Sequence, residues 1–234
     1  MAALEEILRQ HPVWRGEALA QISPAISTGY AELDREMPGR GWPTGALTEI
    51  LGLQEGIGEL QVVLPALAAL SAAGKRIVWL APPHLPYAPA LAAAGIDLAN
   101  LAVVRAPGRR DALWAAEQVL RAGPCHALLV WFRYARYEEL RRLAVAAEAS
   151  RAFVVLFRPG TAAAEPSPAG LRLALESAGD ELAVKILKRR GAPVATPIHL
   201  PVKRLVHALG RPAFQRSAFR DAREPRRLGL PVHA

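Results

Sequence analysis

Cysteine is almost absent from this chain of 234 residues: Cys125 is the only one. A single thiol closes no internal disulfide, and such usage suits a reducing cytoplasm. Cys125 stands before a predicted strand and reads as a small buried residue. Long apolar runs are also missing. No stretch approaches the roughly 18 uninterrupted residues of a membrane-spanning helix, so no membrane association is expected. The opening MAALEEILRQ is acidic and amphipathic, unlike a secretory signal. The six histidines, at positions 11, 84, 126, 199, 207 and 233, show no metal-ligand spacing. There is no G-x-S-x-G elbow and no Cys/His pair to suggest nucleophilic catalysis. No internal repeat is visible.

Acidic residues are scarce in one part of the chain only. From Lys185 to Ala234 twelve Lys/Arg face two Asp/Glu, a net charge of +10, whereas the rest has seventeen against nineteen, a net charge of −2. Such asymmetry points to a nucleic-acid contact or an acidic partner, with a merely solvated basic tail as the plain alternative.

What is present is ample core material, 52% hydrophobic, in a length that suits one domain with short extensions. Residues 1–25 read as an N-terminal helix and connector, 26–204 as the core, and 205–234 as a basic tail that is flexible until bound. Leu4, Ile7 and Leu8 share one face of the N-terminal helix and form a candidate interaction stripe. In the core, predicted strands at 46–51, 76–81, 101–105, 127–132 and 153–158 alternate with predicted helices at 59–73, 86–94, 111–122 and 137–149. Continuous apolar strands in this alternation predict an α/β fold, a parallel sheet covered on both faces. Pro65 should kink the first of these helices or delay its start, and Gly74 should end it. Residues 160–170, small, polar and proline-containing, read as a mobile loop. Strands at 171–175 and 182–187 follow, the latter paired with 197–202, giving an antiparallel edge.

The segment from Ile26 to Leu60 carries the sharpest signal. A phosphate-cradling loop has the pattern G-x-x-x-x-G-K-[ST] directly after a buried strand. Gly52, Gly56 and Gly58 supply the glycines, but Glu59 stands where the lysine belongs and Leu60 where the magnesium-binding hydroxyl belongs. Gly52 to Gly58 is also one residue too long. Glu55 and Glu59 flank the glycines, and like charges near 4 Å repel by about 4 kcal/mol at an effective dielectric of 20. The helix start still offers N–H donors to an anion, yet Glu59 can take up that dipole itself. No cofactor is therefore expected.

These residues resemble the RecA superfamily and, more closely, the ImuA family of RecA-like proteins from bacterial mutagenic translesion-synthesis cassettes. Three blocks carry the resemblance: STGYAELDREMPGRGWPTGALTEILG (27–52), IVWLAPPHLPYAPALAAAGIDLANLAVV (77–104), and FVVLFRP with LAVKILKRRG (153–159 and 182–191). The resemblance implies a RecA-like core and a place for a magnesium-binding acid at the end of the strand 127–132, where Trp131 stands. It implies a catalytic glutamate at the position of Pro83. Three elements of an ATPase would then be missing together, and no enzyme activity is expected. The implied role is a non-catalytic adaptor in SOS-type DNA damage tolerance in the bacterial cytoplasm. Its implied partners are an ImuB-type Y-family polymerase-like protein, an error-prone replicative-type DNA polymerase and RecA. Residues 112–132 are also similar to SulA-like cell-division inhibitors, which makes binding to the division GTPase an alternative. A weak DNA-dependent ATPase is a third.

Two groups suit binding. Lys185, Lys188, Arg189 and Arg190 lie on or beside an edge strand and would hold phosphates or blunt the edge. Arg133 and Arg136, interleaved with aromatics from Trp131 to Tyr137, have the composition that single-strand binding uses and that helix entry uses as well. Arg220, Arg223, Arg226 and Arg227 extend the basic set into the tail.

Overall fold

The computed structural model describes residues 25–52 and 58–201. The stripe Leu4, Ile7 and Leu8, the loop residues Glu55 and Gly56, and Arg220, Arg223, Arg226 and Arg227 lie outside the described residues.

The chain enters through a two-residue strand, β1 (Ala25–Ile26), paired antiparallel with β2 (Trp42–Pro43). Between them lies α1 (Ala31–Glu36). Asp34 fixes this entry: its carboxylate accepts from the Ser27 hydroxyl at 2.7 Å and from the Thr28 N–H at 2.8 Å. Gly29 has φ +83, and a Cβ there would stand 2.4 Å from Pro65 Cβ, so only glycine lets this turn sit against the helix carrying Pro65.

The main sheet is built from β3 (Ala46–Gly52), β4 (Ile77–Leu80), β5 (Leu101–Val104), β6 (Ala127–Trp131), β7 (Phe153–Pro159), β8 (Leu171–Ala178), β9 (Glu181–Lys188) and β10 (Ile198–Pro201). Its order is β10-β9-β8-β3-β7-β6-β4-β5. The ladders from β5 through to β8 are parallel, and β9 and β10 add antiparallel pairs. The expected parallel core with an antiparallel edge is therefore present.

Alternation within the strands divides the core into two layers. One face of the sheet, with Ile50, Trp79, Leu129, Val155, Leu173 and Val184, packs with Leu33 of α1, Leu67 of α2 (Leu64–Ala72) and Leu91 of α3 (Ala88–Ala93). The opposite face, with Leu47, Leu80, Leu128, Val130 and Leu156, packs with Leu113 and Leu120 of α4 (Arg109–Arg121) and Leu140 and Leu143 of α5 (Tyr137–Ser150). Helices thus cover both faces, as apolar strands of a parallel sheet require.

The helix expected at 59–73 is divided. A 3-10 turn, Glu59–Val62, precedes α2, and Pro65 occupies its first turn, where the missing N–H costs nothing. Gly74 follows at φ +68, the left-handed exit.

Residues 160–170 depart from the expectation of a mobile loop. They hold a 3-10 turn, Gly160–Ala164, with Ala162 and Ala169 buried. Arg158 donates to the Glu165 carboxylate at 2.6 Å, Arg172 to the Ala162 carbonyl at 2.7 Å, and Lys188 to the Ser167 carbonyl at 3.0 Å. Small residues here permit close packing, and three cations tie the segment to β7, β8 and β9.

Candidate functional site

At the carboxyl end of β3 the chain leaves at Gly52 and returns at Gly58, which has φ +99 and precedes the 3-10 turn. α/β sheets place ligands at such strand ends. Glu59 opens the turn with one carboxyl oxygen, Oε2, buried without a hydrogen-bond partner among the described residues, and Gln61 Oε1 is in the same state. The Gln61 carbonyl accepts from the Tyr30 hydroxyl at 3.0 Å, and burial raises the Tyr30 pKa. Oxygen atoms, not an ammonium group, therefore occupy the start of this segment.

The neighbouring strand ends are aromatic. Trp131, closing β6, stacks on Phe157 of β7 with ring centroids 4.8 Å apart and an angle of 14°. Trp79 of β4 lies 5.6 Å from Trp131 on its other side. With Trp79 tilted at 57° to Trp131, the three rings form a contiguous aromatic row across β4, β6 and β7, offering no hard oxygen ligand for a divalent cation. Pro83 is exposed in the loop after β4, next to exposed His84 and to Leu85, which is 74% exposed. Sequence reasoning placed Trp131 at this position but not the row, because Trp79 and Phe157 are distant in sequence and meet only through sheet order.

The acids nearest this sheet centre are committed elsewhere. Glu49, in mid-β3 and fully buried, accepts from Arg172 Nε at 2.6 Å and faces Arg158 Nη1 at 3.4 Å. Arg158 is itself fully buried and reaches Glu165. The register explains the meeting: Glu49 lies opposite Arg172 on β8 and next to the position of Leu156 on β7, two residues before Arg158. These charges were missed in the sequence because each stands alone in an otherwise apolar strand. The turn Gly160–Ala164 packs against β3 and β8 here and accepts from Arg172.

The basic cluster after β9 is not one patch. Lys185 and Arg190 are exposed. Lys188 is tied to Ser167, and Arg189 donates to the Glu36 carbonyl of α1 and to the Ala192 carbonyl. Strand β10 covers β9 only along Glu181–Val184, so β9 is the penultimate strand, and its last residues lie past the end of that cover. Arg189 acts as a brace between α1 and the turn that follows β9.

The aromatic and arginine segment after β6 also separates by role. Arg136 is the N-cap residue of α5, its backbone N–H bonded to Glu139 at 2.8 Å. Arg133 and Tyr134 are exposed and line a cleft of about 320 Å³ with Ala81, Gly108, Arg109 and Trp131. Arg109 stands over the Tyr134 ring, 5.4 Å from its centroid, and pairs with Glu139.

Cys125 is buried, its S–H donating to the Ala127 carbonyl at 3.2 Å. Burial pushes its pKa up to about 12, so the thiol stays protonated and unreactive at neutral pH. Among the described residues no group of three or more His, Cys, Asp or Glu is placed to hold a metal, and no helix is long and apolar enough to cross a membrane.

Against this geometry the chain is similar to two RecA proteins. It is 30% identical over 115 residues to that of Picosynechococcus and 32% identical over 136 residues to that of Acinetobacter baylyi. The matches cover 49% and 55% of this chain but only 32% and 38% of those proteins. No protein-family model matches the chain. The partial identity and the mainly parallel α/β sheet together support a place in the RecA superfamily.

Proposed function

We propose that this chain is a RecA-like protein that does not turn over nucleotide and serves as an adaptor in bacterial DNA damage tolerance, in the manner of the ImuA family. The observation that carries the reading is the inversion of the strand-end chemistry. In support of it, Glu59, Leu60, Trp131 and Pro83 stand where the resemblance implies groups that handle phosphate, magnesium and water, and Trp131 packs with Trp79 and Phe157. Phosphoryl transfer is almost wholly positioning and electrostatics. A site with a carboxylate for the ammonium and an indole for the metal ligand supplies neither. A core with the shape of a RecA protomer and no ATP cycle is suited to present surfaces to other proteins. The partners in this reading are RecA, a Y-family polymerase-like protein of the ImuB type and an error-prone replicative-type polymerase.

Two measurements test it. Steady-state phosphate release, with and without single-stranded DNA, should stay at background; turnover that copurifies with the chain and vanishes in a Gly58 variant would overturn the non-catalytic reading. A pulldown with the three purified partners and the division GTPase should retain the polymerase-associated set. Retention of the GTPase alone would move the chain to the cell-division inhibitors, which residues 112–132 resemble.

A further inference from the structure

The cleft after β4, β5 and β6 is a second strand-end crevice, separate from the Gly52–Gly58 segment. β4 sends its chain to α3 on one face of the sheet, whereas β5 and β6 send theirs to α4 and α5 on the other. Crossovers that part to opposite faces leave a crevice at the carboxyl ends of the strands, the recurrent place for ligands in open α/β sheets. β6, whose end brings Trp131, Arg133 and Tyr134 to the cleft, lies two strands from β3, about 10 Å at roughly 4.8 Å per strand, and Trp131 borders both places.

The lining has one electrical sign. Arg109 and Arg133 are in it, and no Asp or Glu is. Glu139 holds Arg109 without itself lining the cleft, and Tyr134 lies beneath the guanidinium. Arg109 is therefore positioned before any ligand arrives, and its guanidinium has five N–H donors, more than Glu139 uses. The 13-residue helix α4 begins here. Its N-cap Gly108 brings no side-chain acceptor, but Asp111 Oδ2 stands 3.5 Å from where a Cβ on Gly108 would be, so that carboxylate takes up the helix start and the two arginines carry the positive charge of the cleft. Asp111 lies in the same first turn but not in the cleft wall. Tyr134, 56% exposed, supplies a flat ring beside the cations. At about 320 Å³ the cleft is at the small end of ligand pockets, large enough for one small molecule and not for a dinucleotide.

We propose that this cleft binds a single nucleotide unit, its phosphate on Arg133 and Arg109 and its base against Tyr134. The site stands independently of the adaptor reading. A free mononucleotide and the phosphorylated end of a strand present the same recognising chemistry.

Titration calorimetry on the full chain tests it with adenosine 5′-monophosphate, adenosine, inorganic phosphate, and a thymidine oligonucleotide with and without a 5′-phosphate. Saturable binding of the monophosphate is expected. It should weaken at least about tenfold in Arg133→Ala, the loss of one charge-assisted contact, and also in Tyr134→Ala. Melting curves of both variants, run alongside, separate loss of binding from loss of fold, and Arg133→Lys should retain part of the binding. The oligonucleotide should compete only when 5′-phosphorylated; tighter binding of that strand than of the monophosphate assigns the site to a strand end, and the reverse to a free nucleotide. Inorganic phosphate binding as tightly as the monophosphate removes the role of Tyr134 and overturns the proposal. So does binding that responds to Glu59→Gln and not to Arg133→Ala, which puts the ligand at the phosphate loop, and so does the absence of saturable binding.

Discussion

Glu49 is an ion held away from water in the middle of the sheet. It is fully buried, and Arg158 beside it is buried too. Taking such ions out of water costs several kcal/mol each, offset only by good geometry and further hydrogen bonds. Arg172 meets that condition through Glu49 at 2.6 Å and the Ala162 carbonyl at 2.7 Å. Arg158 meets it less well, since its Nε has no partner. Removing the central acid leaves two guanidinium groups facing each other with only Glu165, 43% exposed, as a counter-charge. Glu49→Ala should therefore cost about 3–5 kcal/mol, the usual result of breaking a buried pair. Urea denaturation would measure it, and a loss below about 1 kcal/mol, the worth of a surface pair, would show that water already reaches the network. Gly29 and Arg189 show the same logic in milder form: each is legible as a residue type, a turn glycine and a basic side chain. What neither reveals alone is the Pro65 ring or the Glu36 carbonyl it meets.

Elements were more legible than contacts, for a physical reason. Strand and helix periods are local, so β3, β4, β6 and β7 and the helices α4 and α5 could be read from apolar runs and helix exits such as Gly74 and Gly95, both at positive φ. The antiparallel addition of β10 to β9 was legible from the turn residues between them. Illegible were properties created by sheet order. The Trp79–Trp131–Phe157 row needs β4, β6 and β7 side by side, and the pinned turn at Gly160–Ala164 needs cations from three strands. The candidate nucleotide loop was legible as a pattern with pieces missing, and its neighbours show why restoring the pieces should fail. In Glu59→Lys with Leu60→Thr the ammonium and hydroxyl return, but Trp131 still stands where the resemblance implies a metal-binding acid and Pro83 where it implies the base. Magnesium-dependent phosphate release from this double variant should remain at background. Recovery of turnover would show that the strand-end geometry tolerates a ligand among the rings and that the alignment at Gly58 was misjudged.

At the scale of the whole molecule, charge is distributed as if two tasks had been separated. The net charge of +10 from Lys185 onward contrasts with −2 before it. Part of that basicity is structural, since Lys188 and Arg189 brace the segment at Ser167 and the helix α1. The rest lies with exposed Lys185 and Arg190 and with Lys203 and the arginines that follow it. Binding to a polyanion releases counterions in proportion to the phosphates neutralised, with a slope of about 0.9 per contact on a log–log plot. Residues 213–234 contain five arginines: Arg216, Arg220, Arg223, Arg226 and Arg227. Deleting them should flatten the salt dependence of binding to DNA, by as much as about 4.5 units of slope if every one meets a phosphate. The segment has few candidate core positions, so folding stability should change by less than about 0.5 kcal/mol. Parallel urea melts and salt titrations of the full and shortened chains separate the alternatives. Unfolding on deletion would make the segment part of the folded core. Unchanged affinity and slope for DNA, with polymerase partners still bound, would leave the charge asymmetry as composition and place the adaptor surface on the sheet domain itself. A loss confined to an acidic protein partner, with DNA binding absent throughout, would identify that partner as what the basic quarter of the chain recognises.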